Sequence, residues 1–194
     1  MLEELKKINE LSNIKDKEIF YEGEFIKEDA VSLFSELKNN EIYNFDQLID
    51  ITAVDYPSRE KRFEVIYILL SMKRNKRIIL KTFISENENL DSIFDIFKSS
   101  NWYERECYDL FGINFNNHPD LRRIMTDYNF EGHPLRKDFP LTGHTEVRYS
   151  EDKKKVVYEP VKLDQEYRHF DFESPWEGTK YVKEEIQKKE TKEK

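Results

Sequence analysis

Between Trp102 and Pro140 the chain is broken too often by proline and glycine to be regular structure, yet it is too apolar for a solvated linker. The run Gly112, Pro119, Gly132, Pro134 and Pro140 is interleaved with Phe, Tyr, Leu, Ile and Met. A loop of that composition needs a surface to lie on, so the stretch is expected to be ordered and covered by a partner. It opens with a charged, aromatic helix over Asn101–Phe111, for which Gly112 suits a left-handed C-terminal cap. His118-Pro119-Asp120-Leu121-Arg122-Arg123 follows, then Gly132 to Pro140 (GHPLRKDFP).

The rest of the chain divides around it. In 1–12, Leu2, Leu5, Ile8 and Leu11 share a stripe and predict a short amphipathic helix. Phe20–Phe25 reads as a strand, and the spacing of Ile26, Ala30, Phe34 and Leu37 predicts a helix over 26–38. Phe45–Tyr56 reads as a helical turn leading into a strand that stops before Pro57. Arg62–Met72 is apolar on both parities, as in a strand covered on both faces, and Ile78–Ile84 is its antiparallel partner after the turn KRNKR. Leu90, Ile93, Phe94 and Phe97 predict another helix, with Asn89 as N-cap. The fold class that follows is α+β: a small mixed sheet of three or four strands with helices on one side. An extended, loop-rich C-terminal segment with a hairpin follows it, formed by Thr145–Tyr149 and Val156–Glu159. The expected division is an α+β domain over 1–112, a partner-binding segment over 113–178 and a charged, disordered tail over 179–194.

Composition narrows the function. Charged residues make up 37% of the 194 residues and the net charge is −8, which argues against a nucleic-acid binder held by phosphate contacts. Residues 101–140 carry five Arg/Lys against seven Asp/Glu, so no basic patch hides in the central stretch. One cysteine rules out a disulfide within the chain and a cysteine-ligated iron–sulfur cluster built from this chain alone. No apolar run approaches the ~20 residues that span a bilayer, and the start MLEELKKINEL is unlike a signal peptide. A soluble chain is expected, with any membrane attachment supplied by something else.

Each chemistry-bearing residue also has a simpler role open to it. On the central helix, Trp102, Arg105, Glu106 and Asp109 fall on one side, and Tyr103, Cys107, Leu110 and Phe111 on another. Glu106 and Asp109 would suit general acid–base work, but a charged face answering a partner's arginine is the commoner arrangement. Cys107 lies among carboxylates that disfavour a thiolate, so it reads as a small buried residue. His118, His133, His144 and His169 show no metal-ligand spacing. Two of them precede proline, which suggests a ring bonded across a loop. No glycine-rich phosphate motif occurs. Arg122, Arg123, Arg136 and Lys137 would bind an anion or, as favoured here, pair with Asp120, Asp127, Asp138 or a partner's carboxylates.

Taken whole, NWYERECYDLFGINFNNHPDLRRIMTDYNFEGHPLRKDFPLTG, followed by EVRYSEDKKKVVYEPVKL and FDFESPWEG, closely resembles the NuoC-type subunit of respiratory complex I. Complex I is the proton-pumping NADH:quinone oxidoreductase, and the tail resembles its alphaproteobacterial and mitochondrial branch. The resemblance is dense from Trp102 to Gly178 and looser before it. It implies a non-catalytic core subunit of the peripheral arm that braces the large D-type quinone-site subunit, among neighbouring peripheral-arm subunits. It implies no cofactor in this chain, with FMN, iron–sulfur clusters and quinone in partner subunits. It also implies a peripheral place on the inner membrane, on the cytoplasmic or matrix face. By position, the interface or scaffold residues would be Glu104, Arg105, Glu106, Asp109, His118, Asp120, Arg122 and Arg123, with Arg136, Lys137, Asp138, Tyr158, Arg168 and Trp176. Two other readings stand beside it: the equivalent subunit of a membrane-bound hydrogenase or other complex-I-like oxidoreductase, and a free-standing hydrolase using Glu106 and His118.

Overall fold

The computed structural model describes residues 2–163, so Arg168 and Trp176 lie outside the described residues. Contacts group the chain into two compact units, Met1–Gly143 and His144–Lys194. The first is built on a five-stranded sheet, in the order β1 (Leu11–Asp16), β2 (Phe20–Phe25), β5 (Lys76–Ile84), β4 (Phe63–Ser71), β3 (Gln47–Asp55). Only the β2–β5 pairing is parallel, so the sheet is mixed, in an α+β fold. The helices are α1 (Leu2–Leu5), α2 (Ala30–Asn39) and α3 (Ser100–Phe111). A further pair of two-residue strands, β6 (Leu90–Asp91) and β7 (Phe115–Asn116), brackets α3.

The sheet buries one face. Tyr21 and Phe25, Ile78 and Leu80, Val65, Tyr67 and Leu69, and Ile51 and Ala53 all lie on it, in register across four strands. Phe25, Phe34 of α2 and Tyr67 form an aromatic cluster at its centre, with ring centroids 4.8–5.7 Å apart. Leu33 and Leu37 of α2 and Cys107 and Phe111 of α3 complete the same core. Cys107 is buried there, donates its Sγ–H to the Ile51 carbonyl at 3.3 Å, and has its thiol pushed up by burial, as the sequence suggested.

Four local expectations are corrected. The stripe in 1–12 is helical only over Leu2–Leu5; Leu5, Ile8 and Leu11 are buried, but Leu11 already belongs to β1 because pairing with β2 outweighs local helix preference. There is also no helical turn directly before β3. Tyr43 and Phe45 are buried in the loop that enters the strand. The stretch from Leu90 to Phe97 is a short strand followed by turns, and Asn89 bonds Asn116 rather than capping a helix. Finally, the even-numbered side chains of β4 (Ile66, Ile68 and Leu70) are only half-buried, because the core lies on the other face of the sheet. The sheet has five strands where three or four were expected, the extra one being β1.

In the second unit, β8 (Thr145–Ser150) and β9 (Lys155–Pro160) form the expected antiparallel hairpin. Lys154 adopts a left-handed φ of 48° at its turn.

Candidate functional site

α3 is the element on which the irregular segment is hung. Its C-terminus is set by Gly112, whose φ of 76° is the left-handed cap read from the sequence. The last carbonyls of a helix lack intrahelical donors, and here each finds one. The Tyr108 carbonyl takes the Gly112 N–H at 2.9 Å. Asp109 O accepts from His133 Nδ1 at 2.9 Å, Leu110 O from the Leu135 N–H at 3.0 Å, and Phe111 O from Arg136 Nε at 2.6 Å. The loop thus ends the helix, and cationic Arg136 sits where the helix dipole is negative. The fit is tight: a Cβ on Gly112 would lie 2.5 Å from Arg136 Nη2 and 2.6 Å from His133 Nε2.

The side chain of Asp109 does more. Fully buried, it accepts the N–H groups of Ile124, Met125 and Thr126 on Oδ2 at 2.6–3.0 Å. Oδ1 takes the Thr126 hydroxyl at 2.5 Å and Arg123 Nη1 at 2.8 Å. Burial pushes the carboxyl up, but the bonds from Thr126, Met125 and Arg123 outweigh it and hold it well below the usual carboxylate range. Arg123 continues to the Gly132 carbonyl at 2.9 Å and lies over the Phe130 ring. One carboxylate therefore gathers residues 123–132 onto the helix.

Two further anchors flank it. Glu104, also fully buried, accepts the Ser92 hydroxyl at 2.6 Å and the Ile93 N–H at 2.9 Å, fixing the turn that precedes α3; burial raises its carboxyl and these bonds lower it less. At the mouth of the β3–β4 connection, Arg62 grips Asp55 through two bonds of 2.7 and 2.9 Å. Asp55 also accepts the Lys137 N–H at 2.7 Å, Arg62 pairs with Asp138 at 2.9 Å, and Glu86 joins Arg62 to Arg136. The Arg62 fork holds the Asp55 carboxyl below its ordinary value.

His118 completes the set. Its Nδ1 accepts the Asp120 N–H at 3.1 Å and its Nε2 donates to the Asn101 carbonyl at 3.2 Å, so the ring is a neutral tautomer with both nitrogens engaged. Burial lowers its affinity for a proton, and the 3.7 Å approach to Glu104 is accordingly no ion pair. Arg105 donates to the Arg122 carbonyl at 3.0 Å and lies over Trp102, rather than pairing with Asp109. Arg122 pairs with Asp120 in solvent. Glu106 is half-buried and makes no hydrogen bond or ion pair to another described residue. Tyr158 sits in the hairpin, mostly exposed. Among the described residues no group of three or more His, Cys, Asp or Glu could hold a metal ion.

While Arg123, His133 and Arg136 turn inward onto α3, several apolar side chains stand outward: Trp102 is 61%, Met125 65%, Tyr128 88% and Leu141 85% exposed. Single exposed hydrophobics are ordinary and others occur elsewhere in the chain, but these stand on an irregular backbone that is held in place by its own hydrogen bonds. Sequence reasoning missed Asp55, Arg62, Glu86, Ser92 and Thr126. Opposite charges at the two ends of the 56–61 turn were a usable signal for Asp55 and Arg62; nothing marked Thr126.

Known proteins resemble this chain in sequence and in fold. Residues 24–145 match the family described as "Respiratory-chain NADH dehydrogenase, 30 Kd subunit". The chain is 64% identical over 138 residues to the NuoC-type subunit of the NADH-quinone oxidoreductase of Ruegeria sp. (strain TM1040), covering 71% of this chain and 69% of that one. It is 58% identical over 160 residues to the corresponding subunit of Roseobacter denitrificans, covering 82% and 80%. Among solved structures, a chain of the membrane-bound sulfane sulfur reductase, an archaeal respiratory membrane complex, superposes with a TM-score of 0.62 at 26% identity, over 79% of this chain and 94% of that one. Its sequence and its fold together show that the chain belongs to the family of the 30 kDa subunit of respiratory-chain NADH dehydrogenase, the NuoC-type subunit of NADH–quinone oxidoreductase.

Proposed function

We propose that the chain is a non-catalytic core subunit of the peripheral arm of complex I, whose loop segment braces the D-type quinone-site subunit. The observation that carries this reading is the loop itself. Asp109 and Asp55 take N–H groups of the loop, and Arg123, His133 and Arg136 bond back to α3, while Met125, Tyr128, Leu135 and Leu141, like Trp102 of α3, are exposed on a backbone already held in place. A surface fixed before contact loses little entropy on binding, which suits a brace. FMN, iron–sulfur clusters and quinone then belong to partner subunits, and the chain lies peripherally on the inner membrane through the complex. No helix among the described residues is long and apolar enough to cross a membrane.

The other readings fare less well. Identities of 58–64% to NADH–quinone oxidoreductase subunits, against 26% to the sulfane sulfur reductase chain, favour the NADH-linked complex over another complex-I-like enzyme. A hydrolase using Glu106 and His118 needs a free imidazole nitrogen, and both are bonded within the chain. The test is Arg123→Ala in the host organism. Assembled complex in the membrane should fall further than turnover per assembled complex; equal assembly with lost turnover would overturn the reading.

A further inference from the structure

α3 carries three acidic side chains, and two of them are fully used within the chain: Glu104 on Ser92 and Ile93, Asp109 on residues 123–126. The third, Glu106, has no hydrogen-bond or ion-pair partner among the described residues, although it is half-buried. It lies one helical turn after exposed Trp102 and one turn before Leu110, which packs half-buried against the edge of the core. Trp102 is 61% exposed, with the Arg105 guanidinium 4.9 Å from its ring centroid. While water reaches it, a lone carboxylate here is cheap. Covered by an apolar neighbour, it would strand a buried charge.

We infer that Glu106 and Trp102 form a socket for an arginine side chain of a neighbouring subunit, a deepening that rests on the bracing role proposed above. An arginine fits both halves. Its planar fork pairs with a carboxylate through two bonds, and its face stacks on an indole, which a lysine ammonium does less well. Trp and Arg are also the residues on which interface energy most often concentrates. The charge of −8 on this chain further favours a partner that brings positive charge to the contact.

The test uses the intact complex isolated from host membranes carrying the wild-type chain, E106Q or E106D. Release of the chain is followed as potassium chloride is raised, and the unfolding temperature of each full-length free chain is measured alongside. Loss of one member of a covered charge pair should make E106Q leave about 30-fold faster or more, with E106D close to wild type and all three chains unfolding at the same temperature. Separately, p-benzoylphenylalanine in place of Trp102 should capture a peptide of another subunit that contains an arginine. Wild-type release of E106Q, a lowered unfolding temperature for E106Q, capture of an arginine-free peptide, or capture of a second copy of this chain would each overturn the socket. A wild-type chain that does not travel with the complex would overturn the bracing role as well, which separates the two failures.

Discussion

The loop of 113–143 and the β8–β9 hairpin invert the usual link between regularity and order. The loop has almost no repeating backbone, yet its N–H groups, histidines and arginines close onto α3 and onto Asp55. The hairpin has a full antiparallel ladder, yet Val147, Tyr149, Val156 and Tyr158 on one of its faces are each more than half exposed. A ladder satisfies backbone groups but buries nothing by itself, and two strands alone are marginal in water. A buried carboxylate, by contrast, organises many donors at once. The loop should therefore depend on a few polar atoms, and the hairpin on apolar cover.

The comparison breaks first at Asp109. Asp109→Ala leaves the Arg123 charge and three backbone N–H groups without their acceptor. A loss of about 3–5 kcal/mol is expected, a large part of a domain's stability. Denaturant unfolding measures it, and limited proteolysis should cut within 123–132 before the sheet opens. A loss below about 1 kcal/mol would mean that the loop is held by its apolar contacts instead.

Gly112→Ala is the next largest. A side chain is strained at φ 76°, and its Cβ would press on His133 and Arg136. About 1–3 kcal/mol should be lost, with hydrogen exchange accelerating at the Leu135 amide but not in the hairpin.

How much of this was legible follows the same division. Gly112 as a cap, Cys107 as core, the helix over 101–111 and the hairpin could be read because each rests on local chemistry or on short-range periodicity. β1 could not, since the strand identity of Leu11–Asp16 comes from pairing with β2. The Leu90–Phe97 helix failed because Glu104, eleven residues away from Ile93, takes the N–H there and fixes a turn. The pairing of Asp109 with Arg123 rather than Arg105 was equally hidden, because it depends on how the loop returns. The apolar excess of the loop was visible in the sequence, whereas its self-anchoring by one carboxylate was not.

The comparison sharpens with pH. Burial keeps His118 and His133 neutral when folded, with proton affinities below their ordinary value. The unfolded chain takes up these protons near pH 6.5, so their contribution is complete above that pH and is lost as pH falls below it. Glu104 works the other way: its raised carboxyl favours the fold at low pH and loses that contribution as pH rises through its folded value. Unfolding free energies at pH 7.5 and 5.5 give the difference of the two. In the His118→Gln, His133→Gln double variant, whatever stability the variant retains should no longer fall on acidification. An unchanged slope would place its source elsewhere.

The smallest effect is expected in the hairpin, where Arg148 grips Glu159 through two bonds of 2.7 and 2.8 Å on the polar face. The geometry is good, but both groups stand in solvent, where hydration and salt replace most of what the pair supplies. Arg148→Ala should leave the unfolding temperature unchanged and raise amide exchange in β8 and β9 by less than about threefold. Val147→Ser, on the apolar face, should do little more in the free chain and much more in the assembled complex, where the bracing role proposed above would bring a neighbour to cover it. If Arg148→Ala instead melted the hairpin, its order would come from its own charges, and the contrast with the loop would disappear.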